Sequence, residues 1–509
     1  MKTDVAIIVE SKNKSVSLSE YLKKDPNRNY VCLYSAGHIY EARPGRDSIT
    51  LYDDGRNIRA DVNLMPKNKY LLDGIMDACS KTKHIYIATD PDREGEGIAK
   101  DLSNMLSPLN IPMTRMRIWE YSQKAIYEAL EQEHEFNNAL ARSAQVRGII
   151  DRYIGVTLSS YLKMGSVGRV QSPLLKLSNE YPGKRMLRLK SASGSTIEGE
   201  IRSGTMPKNF TGVIVHKTPN LIRPPTTYDL QKRGWDTAKL LPSRTMEAAQ
   251  ELYNNGILSY PRTDSTRLSD VYIDDYLARY RKSSLEIPVI GEEYARSKVS
   301  GVRIQDAHEA LHIIGYSSNV TDENMKTVVE IIKHQTFESL IYPSTVLVRC
   351  SIGIGNDFVM EMNIKQADML TVGNYVEGEL FENRLSPSSM VEIMHNVGIG
   401  RPSTTAGVID NLLEKKYVML QDDIVSVTEL GKSVIEEGLS FCPFVFESDL
   451  TSRMEMHLDA IAAGGTPKEL FKEVYELVTE AQESRPLDYK NHQWEPVEIP
   501  QNTTILLEY

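Results

Sequence analysis

The chain has only four cysteines in 509 residues: Cys32, Cys79, Cys350 and Cys442 stand far apart, with no CxxC pair and no close histidine partner. That pattern excludes a disulfide framework and a paired-cysteine zinc site, and predicts reduced, mostly buried thiols. No apolar run approaches the ~20 residues that cross a bilayer. The apolar stretch of the opening MKTDVAIIVE is too short for a signal peptide, so a cytosolic protein with no membrane partner is expected. A GxxxxGK[ST] phosphate loop is missing as well, so no nucleotide cofactor is expected. Nor is there an excess of positive charge: 59 Lys and Arg face 69 Asp and Glu, a net charge of -10. Nonspecific coating of nucleic acid is thereby disfavoured, while a local basic groove stays open, because phosphate binding depends on where cations cluster.

What is present is a soluble, multi-domain composition, 41% hydrophobic and 25% charged, at a length that predicts three to four domains. Residues 1–135 alternate strand-length apolar runs (VAIIV, YVCLYSAGH, HIYIATD) with helical periods, which argues an α/β domain with a largely parallel sheet. Residues 136–185 read as helix. Alternating, β-branched stretches then occur in two blocks, 186–235 and 344–397, separated by a helical block at 236–343. A β-domain built from two chain segments, with a helical domain inserted into it, is the organisation this predicts. Helices return over 398–495, opening at GRPSTTAGVIDNLLEKKYV, where Ser403 or Thr404 can cap a helix.

Chemistry concentrates at strand ends. ATDPDREGE places Asp90, Asp92 and Glu94 at alternate positions directly after the run HIYIA, at the end of an α/β strand where ligands bind. Carboxylates packed this closely repel, and Mg²⁺, which prefers oxygen ligands, neutralises them. A solvated acidic loop is the alternative. The first strand also ends on an acid, Glu10, with Lys14 one turn on, and two acid-bearing strand ends favour a metal site over an accident. A second unusual stretch is LSYPRTDST, where Tyr260 stands two residues ahead of Arg262 in a loop stiffened by Pro261. A tyrosine at a core edge is the ordinary alternative.

Glu10 followed by a DxDxE motif resembles the Toprim domain, which type IA and type II topoisomerases share with bacterial-type primases and some nucleases. Further stretches resemble the type IA DNA topoisomerases in that family's order: SAGHIYEA at 35–42, QVRGIIDRYIG at 145–155, SVGRVQSP at 166–173, YPRTDST at 260–266, DAHEALH at 306–312, GIGRPSTTAGVI at 398–409 and VTELGKSV at 427–434. The resemblance implies a multi-domain α/β and α+β protein: a Toprim domain, helical domains and a two-segment β-rich arch closed into a toroid. It implies that Tyr260 attacks a DNA phosphodiester, giving a 5′-phosphotyrosyl bond and a free 3′-hydroxyl. A phenol with a pKa of about 10 needs help to lose its proton, and Arg262 is the cation at hand.

By the same resemblance Glu10 handles the proton at the leaving 3′-oxygen, Lys14 positions the phosphate and His308 contacts it. Glu10, Asp90, Asp92 and Glu94 hold Mg²⁺. DNA contacts fall to His38, Arg147, Asp151, Ser166, Gly168, Arg169, Gln171, Ser172, Arg401, Ser403 and Thr404. Each has a plainer alternative: Glu10 with Lys14 as a surface ion pair, His308 as a capped helix histidine, Arg147 with Asp151 as an i,i+4 pair. The implied partner is single-stranded segments of negatively supercoiled DNA, and the implied protein is a nucleoid-associated monomer. Three departures stand out: no paired cysteines for the C-terminal zinc ribbons many members carry, His312 where arginine is usual, and Gly148 where many members have a second arginine. VESKNK and RMEMHLDAI lean toward the relaxing branch of the family, YPRTDS toward the decatenating one. A metal-dependent Toprim nuclease and a catalytically silent DNA-binding protein of the same fold are the competing readings.

Overall fold

The computed structural model describes residues 3–45, 48–132, 134–191, 196–203, 212–219, 222–282, 309–315, 320–340, 345–352, 359–365 and 375–485. The first domain is built on a four-stranded sheet in the order β2-β1-β7-β8, from β1 (Thr3–Val9), β2 (Arg28–Tyr34), β7 (His84–Ile87) and β8 (Met113–Arg115). All three pairings are parallel, as the strand-length apolar runs predict, because a parallel sheet is covered on both faces. Alternate residues of β1 divide between the faces: Val5, Ile7 and Val9 enter one core, Ala6 and Ile8 the other. The first core contains Leu18 of α1 (Lys12–Leu22) and the second contains Leu72, Ile75 and Cys79 of α2 (Lys69–Ser80).

Between β2 and α2 the chain leaves the sheet in two antiparallel pairs, β3 (Tyr40–Ala42) with β6 (Leu64–Pro66) and β4 (Ile49–Asp53) with β5 (Ile58–Val62). Ile49, Leu51, Ala60 and Val62 of the β4–β5 hairpin bury into the core of the helical domain, against α5 (Asn138–Ser159). This part of the expected 1–135 unit therefore packs with its neighbour. Helices α3 (Arg93–Leu106) and α4 (Gln123–Glu131) complete the first domain, and α6 (Gln171–Asn179) continues the helical one.

The two β-rich blocks do combine into one sheet. β9 (Lys184–Ser191), β10 (Thr196–Ser203) and β11 (Gly212–Pro219) from the first segment interleave with β12 (Thr345–Ile352), β13 (Val359–Lys365) and β14 (Tyr375–Asn383) from the second. The order is β11-β12-β13-β10-β9-β14, antiparallel throughout. Its edges differ from the boundaries 186–235 and 344–397, because both segments end in helix. Thr226 opens α7 (Thr227–Ala238) with a capping box to Asp229, and Leu230 of that helix belongs to the tyrosine-bearing domain's core. Ser386 caps a helix, Pro387–Val397, with proline at its first position. Met390, Val391 and Met394 of that helix enter the helical-domain core.

Among the described residues the inserted domain has α7, α8 (Pro242–Asn254), α9 (Asp270–Lys282) and the helix Glu323–Leu340. Cys32, Cys79 and Cys442 are free thiols, Cys79 and Cys442 buried and Cys32 half-buried. The side chain of Cys350 lies outside the described residues.

Candidate active site

The acids sit where β7 hands over to α3. Asp92 is the N-cap residue of that helix, with Oδ1 accepting the Gly95 N–H at 2.8 Å. Gly95 has to be glycine, because a Cβ there would stand 2.1 Å from the Asp90 carbonyl oxygen. Beneath the turn lies Arg115, fully buried at the end of β8. Its guanidinium donates to the carbonyls of Asp90, Ile87 and Met116, at 2.9, 3.0 and 2.6 Å, and to Glu96 at 2.9 Å. Sequence reasoning missed Arg115, although an arginine closing a buried strand is itself a sign of a bound anion or carbonyl cluster.

On this platform the Asp90 N–H donates to Glu10 Oε1 at 2.9 Å, and the buried Lys14 ammonium pairs with the Asp90 carboxylate. Burial, then the charge of Asp90, pushes the Glu10 carboxyl up to about 7, with Lys14 opposing. Lys14 also lies 5.2 Å from the ring centre of Tyr253 on α8.

Tyr260 reaches this cluster from the inserted domain. Its hydroxyl donates to Asp92 Oδ2 at 2.6 Å, and Arg262 Nη1 lies 3.5 Å from the same oxygen. Burial raises the Tyr260 phenol well above its ordinary value, with Asp92 and Asp90 adding to the shift and Arg262 opposing it. Burial also pushes the Asp92 carboxyl up, but Arg262, the Tyr260 hydroxyl and the Gly95 N–H outweigh it and hold Asp92 below its usual range.

The contact between the two domains is aromatic around Tyr260. The Tyr253 ring meets Tyr260 at 5.4 Å and Tyr121 at 5.1 Å, both edge to face. All three belong to one core cluster with Val5, Ile7 and Val9 of β1. Gly256, at φ +67°, lets the loop ahead of Tyr260 press on the Tyr121 carbonyl, which a Cβ would meet at 2.3 Å.

The four acids thus fall into two groups. Asp92 and Asp90 act on Tyr260 and Glu10 accepts the Asp90 N–H, whereas Glu94, in the first turn of α3, lies 3.1 Å from both His38 Nε2 and Arg147 Nη1. Among the described residues no three His, Cys, Asp or Glu side chains are grouped so as to hold a metal ion. The donor set nevertheless suits a hard divalent cation. It is oxygen only, and the upward push on Glu10 by Asp90 reports negative charge that such an ion would relieve.

A second constellation collects the residues assigned to DNA. Arg147 pairs with Asp151 at 3.5 Å, and Arg169 grips Asp151 at 2.7 and 3.3 Å. Arg169 and Arg401 then meet at Glu455, 2.8 and 3.2 Å away. Sequence reasoning did not find Glu455, though it lies one helical turn before Asp459 in RMEMHLDAI. Ser166, Gln171 and Ser172 form the neighbouring wall: the Lys415 ammonium donates to Ser166 Oγ and Gln171 Oε1 at 2.7 and 2.9 Å, and Ser172 Oγ accepts the Gly168 N–H at 3.1 Å. Ser403 is exposed. Thr404 stands at the N-cap of the helix Thr405–Glu414, but its Oγ1 accepts the Arg401 N–H at 2.9 Å, so the expected cap is not made.

Gly148 opens on a cavity of about 250 Å³ that is also lined by Tyr40, Asp101, Gln145 and Arg152, and nothing lies within 4 Å of where its Cβ would be. His312 is buried, with Nδ1 2.8 Å from the Ala310 carbonyl and Nε2 3.4 Å from Glu120. His308 lies outside the described residues.

Glu455 gives a pH prediction. Burial pushes its carboxyl up, yet Arg169, Arg401 and Arg147 hold it at about 2, against an ordinary 4.5. A depressed carboxyl stabilises the fold above its unfolded pKa and loses that contribution as pH falls through the folded one. The shift corresponds to about 3 kcal/mol. Glu455→Gln is expected to be less stable than the parent in urea unfolding at pH 6, with the difference shrinking between pH 4.5 and 2. A difference independent of pH would contradict the assignment.

Comparison with known proteins gives the family. The family model described as DNA topoisomerase matches residues 208–370 and 380–472, and that of the Toprim domain matches residues 5–120. Reverse gyrase 1 of Aquifex aeolicus is 26% identical over 551 aligned positions, covering 94% of this chain and 48% of that protein. DNA topoisomerase 1 of the same organism is 26% identical over 530, covering 90% of this chain and 95% of that protein. The chain therefore spans about half the length of the first relative and nearly all of the second. The solved full-length topoisomerase I of Thermotoga maritima shares the fold at a TM-score of 0.70 and 22% identity, over 94% of this chain and 90% of that one. A Toprim acid cluster joined to a matching topoisomerase segment over half the chain's length places this protein in the type IA DNA topoisomerase family.

Proposed function

We propose that the chain breaks and rejoins one DNA strand through Tyr260, relaxing negatively supercoiled DNA without ATP. The observation that carries this reading is the 2.6 Å bond from the Tyr260 hydroxyl to Asp92, made between two domains and flanked by Arg262. In the reaction the phenol oxygen bonds to phosphorus while the bond from phosphorus to the 3′-oxygen breaks, so one phosphodiester is exchanged for another of similar energy. Arg262 supplies positive charge beside the attacking oxygen and the phosphate. Asp92 orients the phenol and is the nearest acceptor for its proton. Glu10, whose carboxyl burial and the charge of Asp90 push upward, is the acid placed to deliver a proton to the leaving 3′-oxygen. Lys14, held by Asp90 and the Tyr253 ring, positions the phosphate.

Glu10, Asp90 and Asp92 are the residues that would hold Mg²⁺, whose charge would offset that of the carboxylates and the phosphate together. Glu94, paired with His38 and Arg147, supports the site from behind. The arginine-rich wall around Arg169 and Arg401 suits a strand's backbone, giving affinity with little sequence selectivity. The cavity at Gly148 suits a nucleotide beside Arg147 and Asp151. The two-segment β-sheet serves as the arch of a toroid, and parting of the Tyr260 contact serves as the gate. One DNA end stays covalently on Tyr260 and the other stays bound at the Toprim side.

A plasmid assay with Mg²⁺ and no ATP tests the reading, with relaxation of negative supercoils as the expected outcome. Excess EDTA is expected to stop relaxation and leave binding of a single-stranded oligonucleotide largely intact. Full-rate relaxation in EDTA would contradict the metal assignment. Linking number unchanged at every Mg²⁺ and salt concentration would contradict the enzymatic reading.

A further inference from the structure

The wall assigned to DNA is already filled with anions. Four guanidinium groups, Arg93, Arg147, Arg169 and Arg401, are matched one for one by Glu94, Asp151, Glu455 and Asp459. The members differ in depth. Glu455 and Arg169 are 3% and 1% exposed and form the fixed floor. Arg401 and Asp459 are 16% and 29% exposed and form the outer edge. Asp459 is shared: Oδ1 accepts from Arg93 Nη2 at 2.6 Å and Oδ2 from Arg401 Nη2 at 3.2 Å. Arg93 is the first residue of α3, directly after Asp92, so Asp459 ties the acid-bearing turn to the far wall. The Tyr260 loop borders this edge: burial raises the Asp264 carboxyl, with Asp459 adding to the shift and Arg401 opposing it.

A strand's phosphate reaching Arg401 would find two carboxylates, Glu455 and Asp459, already on that guanidinium. One carboxylate must then give way. Glu455 cannot, being buried among three arginines. Asp459 can, since it is the more exposed and keeps a second, shorter bond to Arg93 when it lets go of Arg401.

We propose that Asp459 occupies the place of a DNA phosphate on Arg401 in the empty enzyme, and that a backbone phosphodiester of the bound single strand displaces it. Asp459 thereby lowers resting affinity for DNA and eases release after rejoining. The inference rests on the reading of the chain as a DNA-binding enzyme. It adds a residue that competes with the substrate rather than touching it.

The test measures binding of a short fluorescent single-stranded oligonucleotide by the full chain over a salt series. Asp459→Asn is expected to bind about 3- to 5-fold tighter, the scale of one partly exposed ion pair. Its logarithmic salt slope should steepen by about 0.7, because Arg401 then gives up a counterion where it had held a carboxylate. Asp459→Glu, which keeps the charge, is expected to stay within about twofold of the parent, and so controls for packing changes at this position. In an Arg401→Ala background, Asp459→Asn should no longer tighten binding. Unchanged or weaker binding by a folded Asp459→Asn, or equal tightening with and without Arg401, would overturn the proposal. A parent chain that binds no oligonucleotide at any salt would overturn the DNA reading itself, and this inference with it.

Discussion

Replacement of Tyr260 by phenylalanine is expected to lower strand cleavage and plasmid relaxation by at least about 10⁴-fold, because the only atom removed is the one proposed to attack phosphorus. The fold should survive the change. The ring keeps its edge-to-face contact with Tyr253 at 5.4 Å, and Asp92 keeps the Gly95 N–H and Arg262. A stability loss of about 1.5 to 3 kcal/mol, the scale of a hydrogen bond to a charged group, is the expected structural consequence. The variant should still bind single-stranded DNA. Gel assays of cleavage beside anisotropy measurements of binding separate the two effects, and cleavage persisting in the variant would favour hydrolysis by metal-activated water.

The second large effect concerns Arg115. Arg115→Met leaves the buried Glu96 carboxylate without its guanidinium and removes the donors from three carbonyls, including that of Asp90. Breaking one side of a buried pair costs about 3 to 5 kcal/mol. Among the described residues, Glu96 then keeps the Asn137 N–H, at 2.7 Å. The first domain should therefore unfold at markedly lower urea concentration. Adding Glu96→Gln should recover part of the loss, since the stranded charge is then gone. Equal stability of parent and Arg115→Met, by urea unfolding followed in circular dichroism, would contradict this account of how the acid-bearing turn is held.

Local chemistry made much of the site legible in sequence. Glu10, Asp90 and Asp92 were readable because carboxylates directly after apolar strand runs have few structural uses. The two-segment sheet was readable because β-branched alternation resumes after a long helical interruption. The sequence signals for the missed boundaries were also local: the Thr226 to Asp229 capping box and the Ser386-Pro387 pair mark helices inside spans that composition alone groups with strands. The β4–β5 hairpin was harder. Its alternation says that one face is buried but not that the burial partner is α5 of the next domain.

The family resemblance brings Tyr260 to the acids, but the particular pairings across long separations were not legible. Tyr260 and Asp92 stand 168 residues apart, and Arg169 and Glu455 286. No spacing rule fixes such pairs, because they depend on how whole domains dock. The same holds for the division of the four acids. Spacing alone groups Asp90, Asp92 and Glu94, whereas the helical turn after the Asp92 cap directs Glu94 toward His38 and Arg147.

The central claim is that Tyr260 becomes joined to the 5′ side of the broken strand. Its most direct test is to stop the reaction with denaturant on a single-stranded oligonucleotide labelled at one end or the other. The account predicts that the 3′-end label stays with the protein, on a peptide containing Tyr260, while the 5′-labelled fragment is released with a free 3′-hydroxyl. A 5′-end label retained on the protein, or cleavage with neither fragment attached, would contradict it.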